Sequence, residues 1–89
     1  MNKNYVPVPQ DFRNTIEDIK TKEIFSEIFY FDEHEVLHTS KGVIEGIASL
    51  QEEGDYLITN NKEKIRLDRI VKIEGVPGPA LKSYHSQLP

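Results

Sequence analysis

The hydrophobic period changes once along this chain, at Glu23, and that change limits the fold more than any other feature. Before it, in DFRNTIEDIKTK, Phe12, Ile16 and Ile19 recur at helical spacing. Asp11 stands where an N-cap is expected, and Asn14 with Glu17 three residues on offers a second. The preceding YVPVPQ alternates valine with proline, which favours extended chain and excludes helix. The pattern predicts one short helix, Asp11 to Lys22. Its three apolar positions make a narrow stripe, so it must dock on something to persist.

From Glu23 the period is two. EIFSEIFYFD puts Phe25, Phe29 and Phe31 on one parity and Ile24, Ile28 and Tyr30 on the other. Both faces are apolar, so this strand is expected to be covered by a barrel interior on one side and by the helix on the other. DEHE (residues 32–35) reads as a hairpin connection. The segment 36–50 reads as a long second strand whose Gly42 and Gly46 are costly unless the strand bends there. QEEGD is a turn, YLIT a third strand, and NNKE a tight turn that tolerates positive φ. KIRLDRI follows as a fourth strand with Ile65 and Leu67 inward, and VKI as a fifth. One helix followed by five short antiparallel strands predicts a mostly β fold, a small closed or nearly closed barrel, since closure removes exposed edges. Sm-like and SH3-like barrels both fit, and the leading helix favours the Sm-like order. The expected organisation is an extended arm over residues 1–10, the helix and barrel over 11–75, and a loose Pro/Gly-rich tail over 76–89.

Eighty-nine residues make one domain with a thin core. There is no cysteine, so no disulfide or thiolate zinc site reinforces it. The longest apolar run falls far short of the ~20 residues that cross a bilayer, and the N-terminus lacks a signal-peptide core. A soluble, cytoplasmic monomer is the expectation. The net charge of −4 is unevenly spread: residues 1–40 carry −4, residues 41–61 carry −3, and residues 62–89 carry +3. Direct nucleic-acid binding usually shows as a basic domain. An acidic surface suits a basic protein partner better.

The residues offer little for catalysis. His34 and His38, if in a strand, share a face but lie ~13 Å apart, too far for one metal ion. The glycines form no phosphate cradle. A non-catalytic protein with no cofactor and no metal is expected. Two surfaces stand out for binding. One is the polar helix face, Asp11, Asn14, Glu17 and Asp18, beside the turn Gln51, Glu52 and Glu53. The other is the basic segment of Lys62, Lys64, Arg66, Arg69 and Lys72. RNA recognition there would want exposed aromatics among the cations, and none lies between Lys62 and Lys72. Arg66 and Asp68 share a strand face and are placed to pair, as part of a polar network fixing the last turn of the barrel.

Five pieces together resemble the Rho-binding antiterminator (Rof) family: YVP at residues 5–7, DF at 11–12 with Glu17 following on a helix, a strand ending YFDE, the turn EGDYLIT, and IRLDRI at 65–70. The resemblance runs from Tyr5 to Gly75. It implies an Sm-like barrel preceded by a helix, acting as an inhibitor of the transcription termination factor Rho. Such a protein binds the RNA-binding region of Rho and blocks loading of the transcript. The positions carried over are Asp11 and Glu17, with Asp18 added from its charge. Where the family often has a tyrosine–aspartate pair after the phenylalanine, this chain has Arg13 and Asn14. The alternatives are an Sm-like RNA-binding module that assembles as an oligomer and uses the Lys62–Lys72 face, or a barrel with an unknown protein partner.

Overall fold

The computed structural model describes residues 4–50 and 52–86. Gln51 and the ends of the arm and tail lie outside the described residues. So does the side chain of His85. Helix α1 spans Gln10–Thr21 and buries Phe12, Ile16 and Ile19, the stripe that the spacing predicts. Its start differs by one residue. Pro9, not Asp11, occupies the N-cap, its carbonyl accepting from the Phe12 and Arg13 amides, and no side chain caps the helix. Asp11 lies in the first turn instead, favourably placed for the helix dipole.

The helix ends in a Schellman arrangement. Ile24 N–H donates to the Ile19 carbonyl at 3.3 Å and Glu23 N–H to the Lys20 carbonyl at 3.0 Å. Glu23 therefore takes the left-handed conformation, φ 53°. That residue is the point where the sequence period changes, and the geometry says why: the chain reverses hand there and leaves as a strand.

The strands are β1 Phe25–Phe31, β2 Leu37–Leu50, β3 Gly54–Thr59, β4 Lys64–Arg66, β5 Ile70–Ile73 and β6 Val76–Pro77. All neighbours pair antiparallel, in the order β4-β3-β2-β1-β5-β6. β2 serves two partners, pairing with β1 through Leu37–Val43 and with β3 through Ile44–Leu50. Its register shifts between Ile44 and Gly46, the bulge that the glycines suggested. Gly42 is required by a close approach: a Cβ there would sit 2.7 Å from Asn60 Oδ1. That oxygen accepts from the Val43 amide at 3.2 Å, while Asn61 Nδ2 donates to the Lys41 carbonyl at 3.1 Å. The two asparagines thus lock the bend with their side chains, and the positive φ of that turn falls on Lys62 (φ 65°).

Four expectations need correction. The sheet has six strands rather than five, and no ladder among the described residues joins β4 to the β5–β6 side, so it is not closed. KIRLDRI is not one strand: Leu67–Arg69 forms a 3-10 turn between β4 and β5. The stretch after Gly75 is not loose throughout, because β6 pairs with β5 and Leu81–Ser86 forms a second helix, α2. Finally, α1 does not cover the second face of β1. It belongs to the main core with Ile28, Ile44, Leu57, Ile65, Leu67, Ile70 and Ile73, drawn from five strands and the 3-10 turn. The second face is covered by α2, through Phe31, Val71 and Ala80 with Phe29, Leu81 and Tyr84 packed against them.

Residues 76–86 therefore do two jobs, hiding an apolar patch and occupying the outer edge of β5. A chain ending at Gly75 is expected to lose on the order of 2–4 kcal/mol of stability, the value of uncovering Phe31 and Val71, and to self-associate through the bared edge. Denaturant unfolding and light scattering check the two effects separately.

Candidate functional site

The acidic surface follows from the helix period. With Phe12, Ile16 and Ile19 turned into the core, Asp11, Asn14, Glu17 and Asp18 are all exposed on the opposite side. Their bonds are local. Gln10 Nε2 donates to Asn14 Oδ1 at 2.9 Å. Lys20 lies 3.9 Å from Glu17 and Lys22 lies 3.0 Å from Asp18, with the carboxylate side chains 52% and 62% exposed. Such exposed pairs hold only a few tenths of a kcal/mol and yield readily to a competing partner.

Arg13 lies at the side of this face, half-buried, and bonds to Asp55 at the start of β3. The Ser49 hydroxyl and the Arg13 guanidinium both favour the charged Asp55 carboxylate and hold its pKa below the usual range, against the effect of burial. The contact joins α1 to the strand that leaves the Glu52–Glu53 turn. Both glutamates are exposed there, and Glu52 is left-handed at φ 73°.

The basic segment is dispersed by its local structure. Lys62 Nζ bonds Glu45 Oε1 at 2.8 Å, the residue extruded by the β2 bulge. Lys72, paired across the ladder with Phe29, puts its ammonium 4.9 Å from the centre of that ring, on the α2 side. Lys64 is exposed on β4 and Arg69 half-buried in the 3-10 turn. Arg66 is buried. Its Nε meets Asp68 Oδ1 at 2.6 Å and its Nη2 meets Oδ2 at 3.0 Å, with the two side chains 8% and 6% exposed. The five cations do not make one face.

The Arg66–Asp68 pair also holds the N-terminal arm. Val6 N–H donates to Asp68 Oδ2 at 2.9 Å, Arg66 Nη2 donates to the Asn4 carbonyl at 3.5 Å, and the guanidinium lies 5.9 Å from the Tyr5 ring centre. Tyr5 in turn lies against Gly54, where a Cβ would come within 2.2 Å of the ring. Burial, then Asp55 and Asp68, push the Tyr5 phenol up. Beside this contact lies a cavity of about 620 Å³, lined by Tyr5, Glu52, Glu53, Tyr56, Arg66 and Arg69 among others. Sequence reasoning missed Tyr5 and Tyr56 as neighbours of the basic residues. Tyr56 is directly opposite Arg66 in the β3–β4 register, a cross-strand pairing that linear spacing does not display.

The histidines have separate roles. His38 Nε2 lies 2.7 Å from Asp32 Oδ2, and its ring stacks on Tyr30 with centroids 5.6 Å apart. Asp32 Oδ1 accepts from the His34 and Val36 amides, closing the β1–β2 turn. His34 approaches only Glu33, at 3.6 Å. No group of three metal-ligating side chains occurs among the described residues.

Two predictions follow from these bonds. Removing Asp68 (Asp68→Ala) leaves the buried Arg66 guanidinium without its counter-charge and is expected to cost about 3–5 kcal/mol, whereas replacing Arg66 and Asp68 together by Met and Leu should cost far less. A double-mutant cycle by chemical denaturation measures the difference. The amide of Val36, the His38 side chain and the amide of His34 hold Asp32 at a pKa of about 2, below its ordinary 3.8. A carboxylate depressed on folding stabilises above its unfolded pKa, so the contribution to the turn is complete above pH ~4 and disappears as pH falls through 2. Amide exchange at His34 and Val36 should rise over that window, beyond the intrinsic pH trend, and Asp32→Asn should abolish the dependence.

The chain matches no protein-family model, no curated protein and no solved structure.

Proposed function

We propose that this chain is a non-catalytic, cytoplasmic regulator that binds a basic nucleic-acid-binding surface on a protein partner. The resemblance to Rho-binding antiterminators makes the partner the RNA-binding region of Rho, and the effect a block on transcript loading. The observation that carries the reading is the exposed acidic side of α1, Asp11, Glu17 and Asp18, where the ion pairs among the described residues are exposed ones, of Glu17 with Lys20 and of Asp18 with Lys22. The Glu52–Glu53 turn adds negative charge at the strand to which Arg13 fastens the helix. The strand order, the bent β2 and the 3-10 turn between β4 and β5 support an Sm-like barrel left open at one seam.

RNA binding through the 62–72 segment is less favoured, since Arg66 is bound to Asp68 in the interior and the exposed Lys62, Lys64 and Lys72 lie in different surroundings and make no single face. The covered edge of β5 favours a monomer. No helix among the described residues is long and apolar enough to cross a membrane.

Charge reversal at two exposed positions tests the reading without disturbing the core. Glu17→Lys with Asp18→Lys should weaken a complex with purified Rho by about tenfold at ~50 mM salt, and the wild-type complex should itself weaken as salt is added. Fluorescence anisotropy measures the affinity and a termination assay measures the consequence. A wild-type chain that forms no Rho complex at low salt, or a doubly reversed chain that binds as well as wild type, overturns it.

A further inference from the structure

The face of β1 turned away from α1 is only partly covered. Across β1 and β2 it carries Phe31 opposite Leu37, Phe29 opposite Thr39 and Glu27 opposite Lys41. α2 has six residues and closes over Phe31 and Val71. Beside it runs a groove of about 450 Å³, with Leu81 and Tyr84 of α2 on one side, Leu37 of β2 on the other, and Phe29, Val71 and Lys72 between them. Leu37 is 41% exposed and Val36 before it 51%, so the β2 side of the groove continues into bare apolar surface. Apolar surface of this kind beside polar residues marks an interaction site.

The charge around the groove narrows what fits. No carboxylate lines it. The Lys72 ammonium lies 4.9 Å from the centre of the Phe29 ring, and among the described residues it enters no ion pair. Glu27, two residues back along β1 on the same face, is within 3.6 Å of Lys41. Lys82 adds a second exposed cation on α2. A basic ligand would meet Lys72 with no counter-charge beside it. A carboxylate next to an apolar side chain gains the ammonium and the apolar walls together. The groove is flanked rather than enclosed, which suits side chains projecting from a segment that stays at the surface.

We infer that this groove receives an acidic-apolar peptide segment of a partner protein. One apolar side chain of the segment lies on Phe29, Val71 and Leu81, and a neighbouring carboxylate meets Lys72. The contact has the opposite charge to the exposed side of α1, lies on the other face of β1, and does not depend on what α1 binds.

The test titrates the full ¹⁵N-labelled chain with the peptide acetyl-Asp-Leu-Glu-Phe-Leu-amide. The same peptide with both acids replaced by lysine, and uridine 5′-monophosphate, are the parallel arms. The acidic peptide should give saturable shifts at the Phe29, Leu37, Val71, Lys72 and Leu81 amides, with a Kd in the millimolar range (about −4 kcal/mol). Lys72→Gln should weaken it about twofold to fivefold, the worth of one exposed ion pair. Leu37→Ser should weaken it about tenfold by removing apolar contact. Both substitutions alter exposed side chains and spare the core, and Glu17→Lys with Asp18→Lys should leave the affinity unchanged. Equal binding of the lysine peptide, shifts centred elsewhere, or saturation of the same amides by the nucleotide overturns the inference. So does a concentration-dependent dimer in sedimentation that Leu37→Ser abolishes, since the groove would then belong to a second copy of the chain.

Discussion

The buried pair of Arg66 and Asp68 holds together more of this small protein than any other contact. Two charges removed from water are costly, and they persist only where geometry and extra hydrogen bonds compensate. Here the guanidinium meets the carboxylate in two short contacts, and the carboxylate accepts a third bond from Val6 N–H. Because the partners are two residues apart, closing a fork–fork pair fits the 3-10 turn of Leu67–Arg69 rather than a continuing strand. That turn releases the chain from β3 and delivers β5 to the edge of β1. The same pair draws the arm down so that Tyr5 lies on Gly54, whose φ of 97° and missing side chain leave room for the ring. The arm, the β4–β5 corner and the β2–β3 turn are thereby one connected unit.

That connection explains which parts of the fold could be read from the sequence. The helix and the first three strands follow from period and glycine placement, because each buries a regular stripe in one core. The break within IRLDRI does not show, since Ile65 and Leu67 are both buried whether the chain runs straight or turns, and alternation records only burial. The last strand and helix do not show either. β6 has two residues and α2 six, too few for a period to emerge. They are held by tertiary contact, with Ala80, Leu81 and Tyr84 meeting Phe31 and Val71. Pairing of Arg66 with Asp68 was legible from their spacing. The approach of Tyr5 and Tyr56 to that pair was not, because it crosses 61 residues in one case and a ladder in the other.

Charge presents the same contrast between counting and placement. The sequence shows a basic stretch and an acidic remainder, which invites a division of labour between them. In the folded chain the basic stretch is dispersed: Arg66 is bound to Asp68 in the interior, Lys62 meets Glu45 at the surface, and Lys72 lies over Phe29. Among the described residues, Glu17 and Asp18 are paired only with Lys20 and Lys22, about one turn away on the same exposed surface. Exchanging such pairs for intermolecular ones costs little, so the acidic helix is the surface best able to gain from a charged partner.

Arg13 is the residue that first argues against this view, since it adds a positive charge beside the acidic face. Its bond to Asp55 alters its meaning. The charge is compensated within the fold, with Asp55 held ionised by Ser49 and by Arg13 itself, so Arg13 subtracts little from the acidic side of α1. The bond also fixes the first turns of the helix to the sheet from the side, adding to the grip of Phe12 and Ile16 below. A partner of the proposed kind would meet carboxylates on a helix restrained at two points, with less side-chain and backbone freedom to lose on association than a tethered acidic loop would have.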